Sequence, residues 1–597
     1  MSFTKVLSIP PGPNMTRARP QHYHPSVDEE HYVYGSNLNV ISRNINDFHF
    51  CESFEGHSHA VTSAKFFENG NFVISGDEEG NVIIWSYDNP EHPITLESKP
   101  VAGPIKDLAM TQDHKKFIAV GEYRRHGAHP FTLMGTTAGE CLGHTDHVLS
   151  ADIRRNKRPY ITITGGEDRI VNMYRGPPCK HVAQVAMREG VVNCVRWDPS
   201  GDKFAVAGAD KLLQVYSVTI GEATKRFGPK TITHDLLVEK EFPRNILSLC
   251  WTPDSSKIVF CGTDKAVTMV DAETLEVIWR VVLGKEIGHM QNCVFHTKRG
   301  FLVFSTAGDM TLIDVEGSIV ENIPTHSSTI TTIHATQNRL YTYGREGNFI
   351  IWDRETMTPV KRLLGKGHGG ASVTAIFEWN GKIVTCGHDS NIYVTDPDTD
   401  KFGEKISTPY SIEGAAMIGD VIYCAFEDGV SAVNLATKSV TTLQHGCMCI
   451  ATNSTHIAMG SESGTVTVLN AETMAVEYQE KVSSVPVKTV AISASGNIVA
   501  CGAADSRVII IDVEAKTYDN NHFSFHSSIP TNMRFIDETR FYSVGLDGEM
   551  FLFDATDRNT RIRTSHIHRQ GCTSLEVFDG AIYTGGVDGF IHKWVVN

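Results

Sequence analysis

The sequence predicts an all-β protein built as two seven-bladed β-propellers in tandem, with fourteen blades in total. Fifty glycines and many short apolar runs are spread over the 597 residues, which favours short strands joined by tight turns. One pattern recurs, for example in NIVACGAADSRVIIID and RFYSVGLDGEMFLFD. A strand ends in a small residue, an acidic turn follows, and a second strand alternates apolar and polar residues, which is typical of a β-hairpin. No apolar repeat of helical period is longer than about three turns.

The predicted hairpins recur at a regular interval. The last core residue of each second strand falls at Ile41, Trp85, Phe131, Tyr174, Tyr216, Val270, Ile313, Trp352, Thr395, Val433, Leu469, Ile511, Phe553 and Trp594. The mean spacing of these positions is about 42.5 residues, and a period of about 40–45 residues with four strands per unit is that of WD repeats. One propeller usually has four to eight blades, so fourteen repeats predict two rings of seven. The hairpins ending at Phe131 and Ile313 are the least typical, because they lack the usual acidic residue.

A recurring pair of polar residues agrees with this period. An acidic residue stands six positions before many of the hairpin ends, at Glu79, Asp168, Asp210, Asp264, Glu346, Asp389, Glu427, Asp505, Asp547 and Asp588. Histidines precede many of these acids, at His57, His144, His234, His326, His368, His526 and His568. WD repeats join such a histidine and acid to a hydroxyl and a tryptophan in a buried hydrogen-bond network, which fixes one packing of the blade. The sequence therefore resembles a WD-repeat protein over nearly its whole length.

The repeats also predict the domain organisation. We expect an N-terminal propeller over residues 20–318 and a C-terminal propeller over residues 319–597. In WD repeats the outermost strand of each blade is encoded at the start of the next repeat, so the blade ending at Trp594 lacks its outer strand. Residues 3–9 form a lone strand with no hairpin of their own, and we expect them to supply it. This pairing would remove an exposed strand edge, which is otherwise an aggregation hazard.

Composition and motifs argue against several classes of function. The net charge is −15 without a run of basic residues, so nucleic acid is not expected as a partner. No apolar stretch is long enough for a membrane span, and the start of the chain does not read as a secretory signal. The 13 cysteines are irregularly spaced and include no CxxC pair, which favours a reduced cytoplasmic protein without a disulfide framework or a metal site. The sequence has no phosphate loop and no GxSxG elbow, so we expect no cofactor and no enzymatic activity.

Three segments in the first part of the chain narrow the prediction further. They are VAGPIKDLAMTQDHKKFIAVGEYRRHGA, RPYITITGGEDRIVNMYRGPPCKH and VVNCVRWDPSGDKFAVAGADK. They resemble the actin-interacting protein one family, also called WD repeat protein one in animals, and the GPP at 176–178 is unusual in other WD repeats. The likeness is clear over roughly residues 1–220. The resemblance implies a non-enzymatic, monomeric protein of the cytoplasmic actin cytoskeleton. Such a protein binds actin filaments decorated with cofilin (actin-depolymerising factor), promotes their disassembly and caps their barbed ends.

The resemblance also implies where the partner proteins bind. The candidate contact residues lie in the first propeller and are Lys106, Asp107, Glu122, Arg124, Arg125, Glu167, Asp168, Cys179 and His181. Glu167 and Asp168 belong to the GGED turn, and Cys179 and His181 follow the GPP where the family usually has aromatic residues. A structural role competes with binding at several of these positions. Asp168 stands at the repeated acidic position, the loop from Glu122 to Arg125 could be a solvated charged loop, and Lys106 and Asp107 could form an ion pair between blades.

Two other functions remain open from the sequence. One is a WD-repeat scaffold that assembles a different complex, such as a ligase adaptor or a trafficking coat. The other is a propeller hydrolase with a site in the central channel, since a fold does not determine a function. Cofilin-dependent binding to filaments distinguishes the first prediction from the scaffold, and convergent acids or a metal in a channel would be required for the hydrolase.

Overall fold

The protein is built of antiparallel β-sheets. A computed structural model describes residues 2–13, 30–67, 70–122, 128–139, 141–154, 157–176, 179–223, 230–284, 287–365, 367–427, 429–443, 446–557 and 560–596. These residues form fourteen sheets, numbered here as blades 1 to 14, and one short 3-10 turn at Ile287–His289. Within the described ranges, blades 1 and 3 have three strands and the other twelve blades have four. This confirms the predicted fold class of two seven-bladed WD-repeat propellers.

Blades 1 to 7 form the first propeller. Its strands are β2 His31–Ser36, β3 Asn39–Asn44 and β4 Cys51–Phe54 in blade 1; β5 Val61–Phe67, β6 Phe72–Asp77, β7 Val82–Ser86 and β8 Ile94–Ser98 in blade 2; β9 Ile105–Met110, β10 Lys116–Gly121 and β11 His129–Thr132 in blade 3; β12 Val148–Ile153, β13 Ile161–Gly166, β14 Ile170–Arg175 and β15 Lys180–Met187 in blade 4; β16 Val192–Trp197, β17 Lys203–Gly208, β18 Leu212–Ala223 and β19 Lys230–Glu241 in blade 5; β20 Ile246–Trp251, β21 Lys257–Gly262, β22 Ala266–Asp271 and β23 Val277–Val282 in blade 6; and β24 Gln291–Thr297, β25 Gly300–Ser305, β26 Met310–Ile313 and β27 Ile319–Ile323 in blade 7.

Blades 8 to 14 form the second propeller. Its strands are β28 Ile330–Ala335, β29 Arg339–Gly344, β30 Phe349–Asp353 and β31 Pro359–Arg362 in blade 8; β32 Val373–Trp379, β33 Lys382–Gly387, β34 Asn391–Thr395 and β35 Glu404–Ser407 in blade 9; β36 Gly414–Ile418, β37 Val421–Phe426, β38 Gly429–Asn434 and β39 Val440–Leu443 in blade 10; β40 Cys449–Thr452, β41 His456–Gly460, β42 Thr465–Asn470 and β43 Val476–Lys481 in blade 11; β44 Val487–Ile492, β45 Ile498–Ala503, β46 Val508–Asp512 and β47 Thr517–Asp519 in blade 12; β48 Pro530–Phe535, β49 Arg540–Gly545, β50 Met550–Asp554 and β51 Arg561–Thr564 in blade 13; and β52 Cys572–Phe578, β53 Ala581–Gly586, β54 Ile591–Val596 and β1 Phe3–Ile9 in blade 14.

The burial of the strands follows their place in the blade. The middle strands are buried on both faces, as in β53, where all six residues are buried. The outer strands are much more exposed, as in β23, where four of the six residues are exposed. Strands buried on both faces appear in a sequence as continuous apolar runs. This explains why the paired middle strands carried the clearest signal. All the predicted pairs formed, including β10–β11 and β25–β26, which lack an acidic residue six positions before the hairpin end.

The chain divides into two compact units. One is Gly12–Thr325, the first propeller, and the other combines Met1–Pro11 with His326–Asn597, the second propeller. The predicted division between residues 318 and 319 therefore falls one strand early. β27 follows the hairpin of blade 7 and is the outer strand of that blade, so it belongs to the first unit.

The second propeller is closed by strands from two distant parts of the chain. β1 pairs antiparallel with β54, with Phe3 opposite Val596 and Ile9 opposite Ile591. The Oγ of Ser8 lies 2.8 Å from Nδ1 of the buried His592. Blade 14 is therefore a four-stranded sheet in which the edge of β54 is covered.

Among the described residues, no helix has the length and the hydropathy needed to cross a membrane.

Candidate functional site

A buried hydrogen-bond network stabilises the turn of several blades. In blade 4, Nδ1 of His144 lies 2.9 Å from Oδ2 of Asp168 and its Nε2 lies 2.7 Å from Oγ1 of Thr164. In blade 8, His326 contacts Glu346 and Thr342 in the same way, and Nε1 of Trp352 donates to the Thr342 hydroxyl at 2.7 Å. Further networks of this kind contain His57, His368, His526 and His568. Both ring nitrogens of these histidines are used in structural hydrogen bonds, so fewer histidines are candidates for metal binding or catalysis.

In blades 2 and 5 the network differs from the predicted pairing of residues. In blade 2 the partner of His57 is Asp77, the last residue of β6, whereas the predicted Glu79 is exposed and pairs with Lys99 at 3.2 Å. In this blade the acidic residue is the last residue of the strand and not part of the turn. The spacing of six residues before Trp85 therefore predicted the wrong acid.

In blade 5 the predicted His234 lies on the outer strand β19 and takes no part in the network. Instead, the guanidinium of the buried Arg188 donates to Oδ1 of Asp210 at 2.6 Å. An arginine that precedes the hairpin thus replaces the expected histidine.

Asp168 is a structural residue of blade 4. Its carboxylate accepts hydrogen bonds from His144 and from the backbone N–H of Thr145 at 2.9 Å, and its side chain is only 2% exposed. Burial alone would raise the pKa of Asp168, but the hydrogen bonds from His144 and the backbone lower it below its ordinary value. The structural interpretation of Asp168 therefore fits the geometry, and the carboxylate is turned away from solvent.

Glu167 and Glu122 occupy the same backbone position in neighbouring blades. Glu167 directly follows β13, and its backbone N–H donates to the carbonyl oxygen of His147 at 2.8 Å. Glu122 directly follows β10, and its backbone N–H donates to the carbonyl oxygen of Pro104 at 3.0 Å. Sequence reasoning missed a third member, Glu78. It directly follows β6, and its backbone N–H donates to the carbonyl oxygen of Ala60 at 3.0 Å. We call Glu78, Glu122 and Glu167 the glutamate row. The signal was available, because SGDEE, VGEYR and GGEDR each place a glutamate directly after the strand end.

The members of the glutamate row differ in their surroundings. Glu78 is exposed and Glu167 is half-buried. Oε1 of Glu122 lies 3.0 Å from Nζ of the predicted contact Lys106, and both side chains are largely covered. Lys106 therefore balances Glu122 within blade 3, which leaves Glu78 and Glu167 as the more accessible carboxylates.

Asp107 does not lie at the surface, which contradicts its prediction as a contact residue. Its carboxylate has no exposed area and binds two cations, with Nζ of Lys65 at 2.7 Å and NH1 of Arg196 at 2.9 Å. Ser150 and the backbone N–H of Ala151 donate to the same carboxylate at 3.2 and 3.1 Å. Strands β5, β9, β12 and β16 of four successive blades thus contribute contacts to one buried charge. Asp107 forms ion pairs between blades, whereas Lys106 pairs with Glu122 within blade 3.

Cys179 directly precedes the outer strand β15 of blade 4, and His181 is part of that strand. Sγ of Cys179 is bonded to Sγ of Cys141, with their Cα atoms 5.1 Å apart. This differs from the expectation that the chain has no disulfide, because residues 38 positions apart in the sequence are brought together by the blade. His181 is exposed, and its Nε2 lies 3.3 Å from Oδ1 of Asn172. Of the pair, His181 remains accessible to a partner.

The remaining predicted contacts, Arg124 and Arg125, lie outside the described residues. One group of possible metal ligands is present in the described part of the chain, at Asp146, His147 and Glu167, whose ligand atoms lie within 4.8 Å of one another. Exposed acidic groups of this kind are common without a metal, so the group does not by itself indicate a metal site.

Comparison with known proteins agrees with the repeat architecture. The WD domain, G-beta repeat family matches residues 48–86 and 181–217. Each match begins near the outer strand of one blade and ends with the third strand of the next. The repeat in the sequence is therefore offset from the blade by one strand, which is the offset that lets β1 complete blade 14.

Whole-length relatives are also found. The chain is 26% identical over 595 residues to WD repeat-containing protein 1 of Gallus gallus, covering 95% of this chain and 94% of the relative. It is 27% identical over 594 residues to the protein of the same name from Mus musculus, covering 95% of each. It is 27% identical over 490 residues to Actin-interacting protein 1 of Drosophila melanogaster, covering 81% of this chain and 72% of the relative. Together with the fourteen blades and the WD repeats, these relatives show that the chain belongs to the family of WD repeat-containing protein 1 and actin-interacting protein 1.

Proposed function

We propose that this protein binds actin filaments decorated with cofilin, promotes their disassembly and caps their barbed ends. The name of the Drosophila relative, Actin-interacting protein 1, describes an interaction with actin, and the first part of the sequence resembles the same family. The proposal places the protein in the cytoplasm with the actin cytoskeleton, as a monomer that performs no covalent chemistry.

The observation that carries the proposal is the glutamate row. Three successive blades present a glutamate at one equivalent backbone position, and each is held by a hydrogen bond from its own N–H to the neighbouring strand. Because Lys106 neutralises the charge of Glu122, the acidic surface is formed by the accessible carboxylates of Glu78 and Glu167, which are held at one equivalent backbone position. Such a surface suits a basic patch on a partner protein, because complementary charge steers association and sets orientation.

The physical basis of the proposed activity is preferential binding. A protein that binds the cofilin-altered filament subunit more tightly than the bare subunit shifts the filament population toward the severed and capped forms. Equal affinity for both forms would shift nothing. The proposal therefore requires that binding depends on cofilin.

Co-sedimentation of the full-length protein with actin filaments, with and without cofilin, tests the proposal. We expect the variant Glu78→Ala/Glu167→Ala to lose roughly tenfold in affinity for the cofilin-decorated filament, because each exposed charge pair is worth up to about 1 kcal/mol. The matched control is Glu514→Ala/Glu472→Ala, which removes two exposed glutamates from the second propeller. This control should bind like the unchanged protein.

Two results would contradict the proposal. Sedimentation that does not depend on cofilin would remove the preferential binding on which the mechanism rests. Equal losses in the test and control variants would show that the glutamate row acts only through the net charge.

A further inference from the structure

The centre of the second propeller contains a cavity lined by all seven of its innermost strands. The cavity has a volume of about 360 Å³, and residues of β28, β32, β36, β40, β44, β48 and β52 contribute to its wall. A second cavity of about 160 Å³ shares part of the same wall. Ligand pockets in proteins typically begin at about 300 Å³ and combine apolar walls with a few polar groups. The larger cavity is therefore large enough for one or two amino-acid side chains.

One side of the cavity carries three polar side chains at equivalent positions. His334, Arg534 and Glu576 each lie opposite a tyrosine of the next strand, at Tyr341, Tyr542 and Tyr583. Their blades are direct neighbours, because Thr531 donates a hydrogen bond to Cys572 O at 2.7 Å and Thr573 donates one to Ile330 O at 2.5 Å. Equivalent register in adjacent blades thus brings a histidine, an arginine and a glutamate into one cluster.

Within this cluster Glu576 is satisfied by its neighbours. Its Oε1 lies 3.2 Å from Nδ1 of His334, its Oε2 lies 3.6 Å from Nε of Arg534, and its side chain is 13% exposed. Burial alone would raise the pKa of Glu576, but His334 and Arg534 lower it below its ordinary value. A cationic ligand would have to displace these contacts, so Glu576 is not the group that receives a ligand.

Arg534 has hydrogen-bond donors that are available to a ligand. Its side chain is 47% exposed, and the structure gives its terminal nitrogens no hydrogen-bond partner among the described residues. A guanidinium binds a planar carboxylate through two parallel hydrogen bonds. The free end of Arg534 therefore fits an anionic group.

The opposite side of the cavity is apolar. At the positions equivalent to Arg534 and Glu576, blades 9 and 10 carry Phe377 and Met417. Ile450 of blade 11 continues this part of the wall, and Phe535 adds an apolar side chain next to Arg534 on β48. A ligand that reaches Arg534 with a carboxylate would place its adjoining group against these side chains.

We propose that the central cavity of the second propeller binds a carboxylate joined to a large apolar group, with Arg534 as the anion-binding residue and Phe377, Met417, Ile450 and Phe535 as the apolar wall. This chemistry is found at a protein chain terminus that ends in a large apolar residue, and also in a free aromatic acid. The inference does not depend on the proposed function, because it concerns the second propeller and the glutamate row lies in the first.

The experiment uses full-length protein and a peptide of the sequence Gly-Gly-Gly-Phe, labelled with fluorescein at its N-terminus. Fluorescence anisotropy compares the peptide that has a free C-terminal carboxylate with the same peptide amidated at the C-terminus. We expect the amide to bind at least about tenfold more weakly, because it cannot form the paired hydrogen bonds with Arg534. Competition with 3-phenylpropionate separates the two sources of the carboxylate: displacement at similar concentration indicates a free acid, and much weaker displacement indicates a chain terminus.

Variants separate the role of Arg534 from a general loss of charge. Arg534→Gln should reduce binding of the carboxylate peptide at least about tenfold. Arg563→Gln, which changes the same charge on the outer strand β51 of the same blade, should leave binding unchanged. Glu576→Gln should tighten binding, because Arg534 then loses its competing internal carboxylate. A thermal unfolding curve for each variant establishes that it is folded at the assay temperature.

The inference is overturned if acid and amide bind equally, if Arg534→Gln binds like the unchanged protein, or if Glu576→Gln weakens binding while folded. Failure of both peptides to bind at about 1 mM would also overturn the inference, since a specific site of this size is expected to have a dissociation constant below about 1 mM.

Discussion

At the scale of single residues, the first propeller depends on a buried charge cluster at its centre. Lys65 and Arg196 are brought to Asp107 by strands of different blades, and all three side chains are almost fully buried. Burial lowers the pKa of Lys65, and the neighbouring Asp107 opposes this shift only in part. Two buried cations that share one carboxylate are stable only while the carboxylate keeps its charge.

We predict that Asp107→Asn destabilises the first propeller by about 3–5 kcal/mol, because it removes the charged carboxylate that the buried Lys65 and Arg196 both contact. Thermal unfolding followed by circular dichroism measures the loss. Asp235→Asn, an exposed position on β19, is the matched control and should change stability by less than about 0.5 kcal/mol. Similar unfolding of both variants would show that the buried cluster contributes little.

At the scale of elements, blade 14 is completed by β1, which comes from the beginning of the chain and pairs with the last strand, β54. β1 covers the edge of β54, and Phe3 packs against Tyr542 of blade 13 with their ring centroids 5.9 Å apart. Phe3 also joins a cluster that includes the buried Trp594 and Leu575. The strand thus contributes both backbone hydrogen bonds and apolar burial to a blade formed otherwise by the last repeat.

Deletion of residues 1–10 is predicted to lower the unfolding temperature of the second propeller by about 5 °C or more, because it removes one strand and exposes the edge of β54. Hydrogen exchange read by mass spectrometry locates the effect. Faster exchange should appear in blades 13 and 14, and blades 1 to 7 should keep the exchange rates of the intact protein. Loosening confined to the first propeller would contradict the closure scheme.

At the scale of the whole molecule, the second propeller contains two buried histidines whose pKa is lowered. Burial lowers the pKa of His592 well below its ordinary value, with His568 and Lys5 adding to the shift. Burial also lowers the pKa of His368, although Asp389 opposes it. Both residues lie in the second propeller. A histidine with a depressed pKa in the folded state takes up a proton on unfolding, which costs stability as the solution becomes acidic.

We predict that the second propeller keeps its full stability above about pH 6.5, the ordinary histidine pKa, and loses stability as the pH falls below it. The slope for one proton is about 1.4 kcal/mol per pH unit. Differential scanning calorimetry at a series of pH values measures this loss. His592→Gln should flatten the dependence, whereas the exposed His566→Gln should leave it unchanged. A pH dependence that is identical in the two variants would exclude His592 as the responsible group.

The extent to which sequence predicted this structure depended on how local each interaction is. The network of His326, Glu346 and Trp352 could be predicted because its members lie within one repeat at regular spacing. The role of Asp107 could not, because its partners Lys65 and Arg196 are 42 and 89 residues away in other blades. The disulfide of Cys179 and the central cavity depend in the same way on which strands become neighbours in space. Glu78 was missed for a different reason, since its signal was present in the sequence but was not compared between blades.

The equivalent backbone position that carries the glutamate row has a consequence for how such a surface can change. In blades 5 and 6 that position is occupied by Ala209 and Thr263, which make the same backbone hydrogen bond to the neighbouring strand. A substitution there alters the chemistry presented to a partner and leaves the ladder of the blade intact. A recognition pattern on this scaffold can therefore be lengthened, shortened or moved around the ring one repeat at a time, so that new binding partners can arise through point mutations without rebuilding the core.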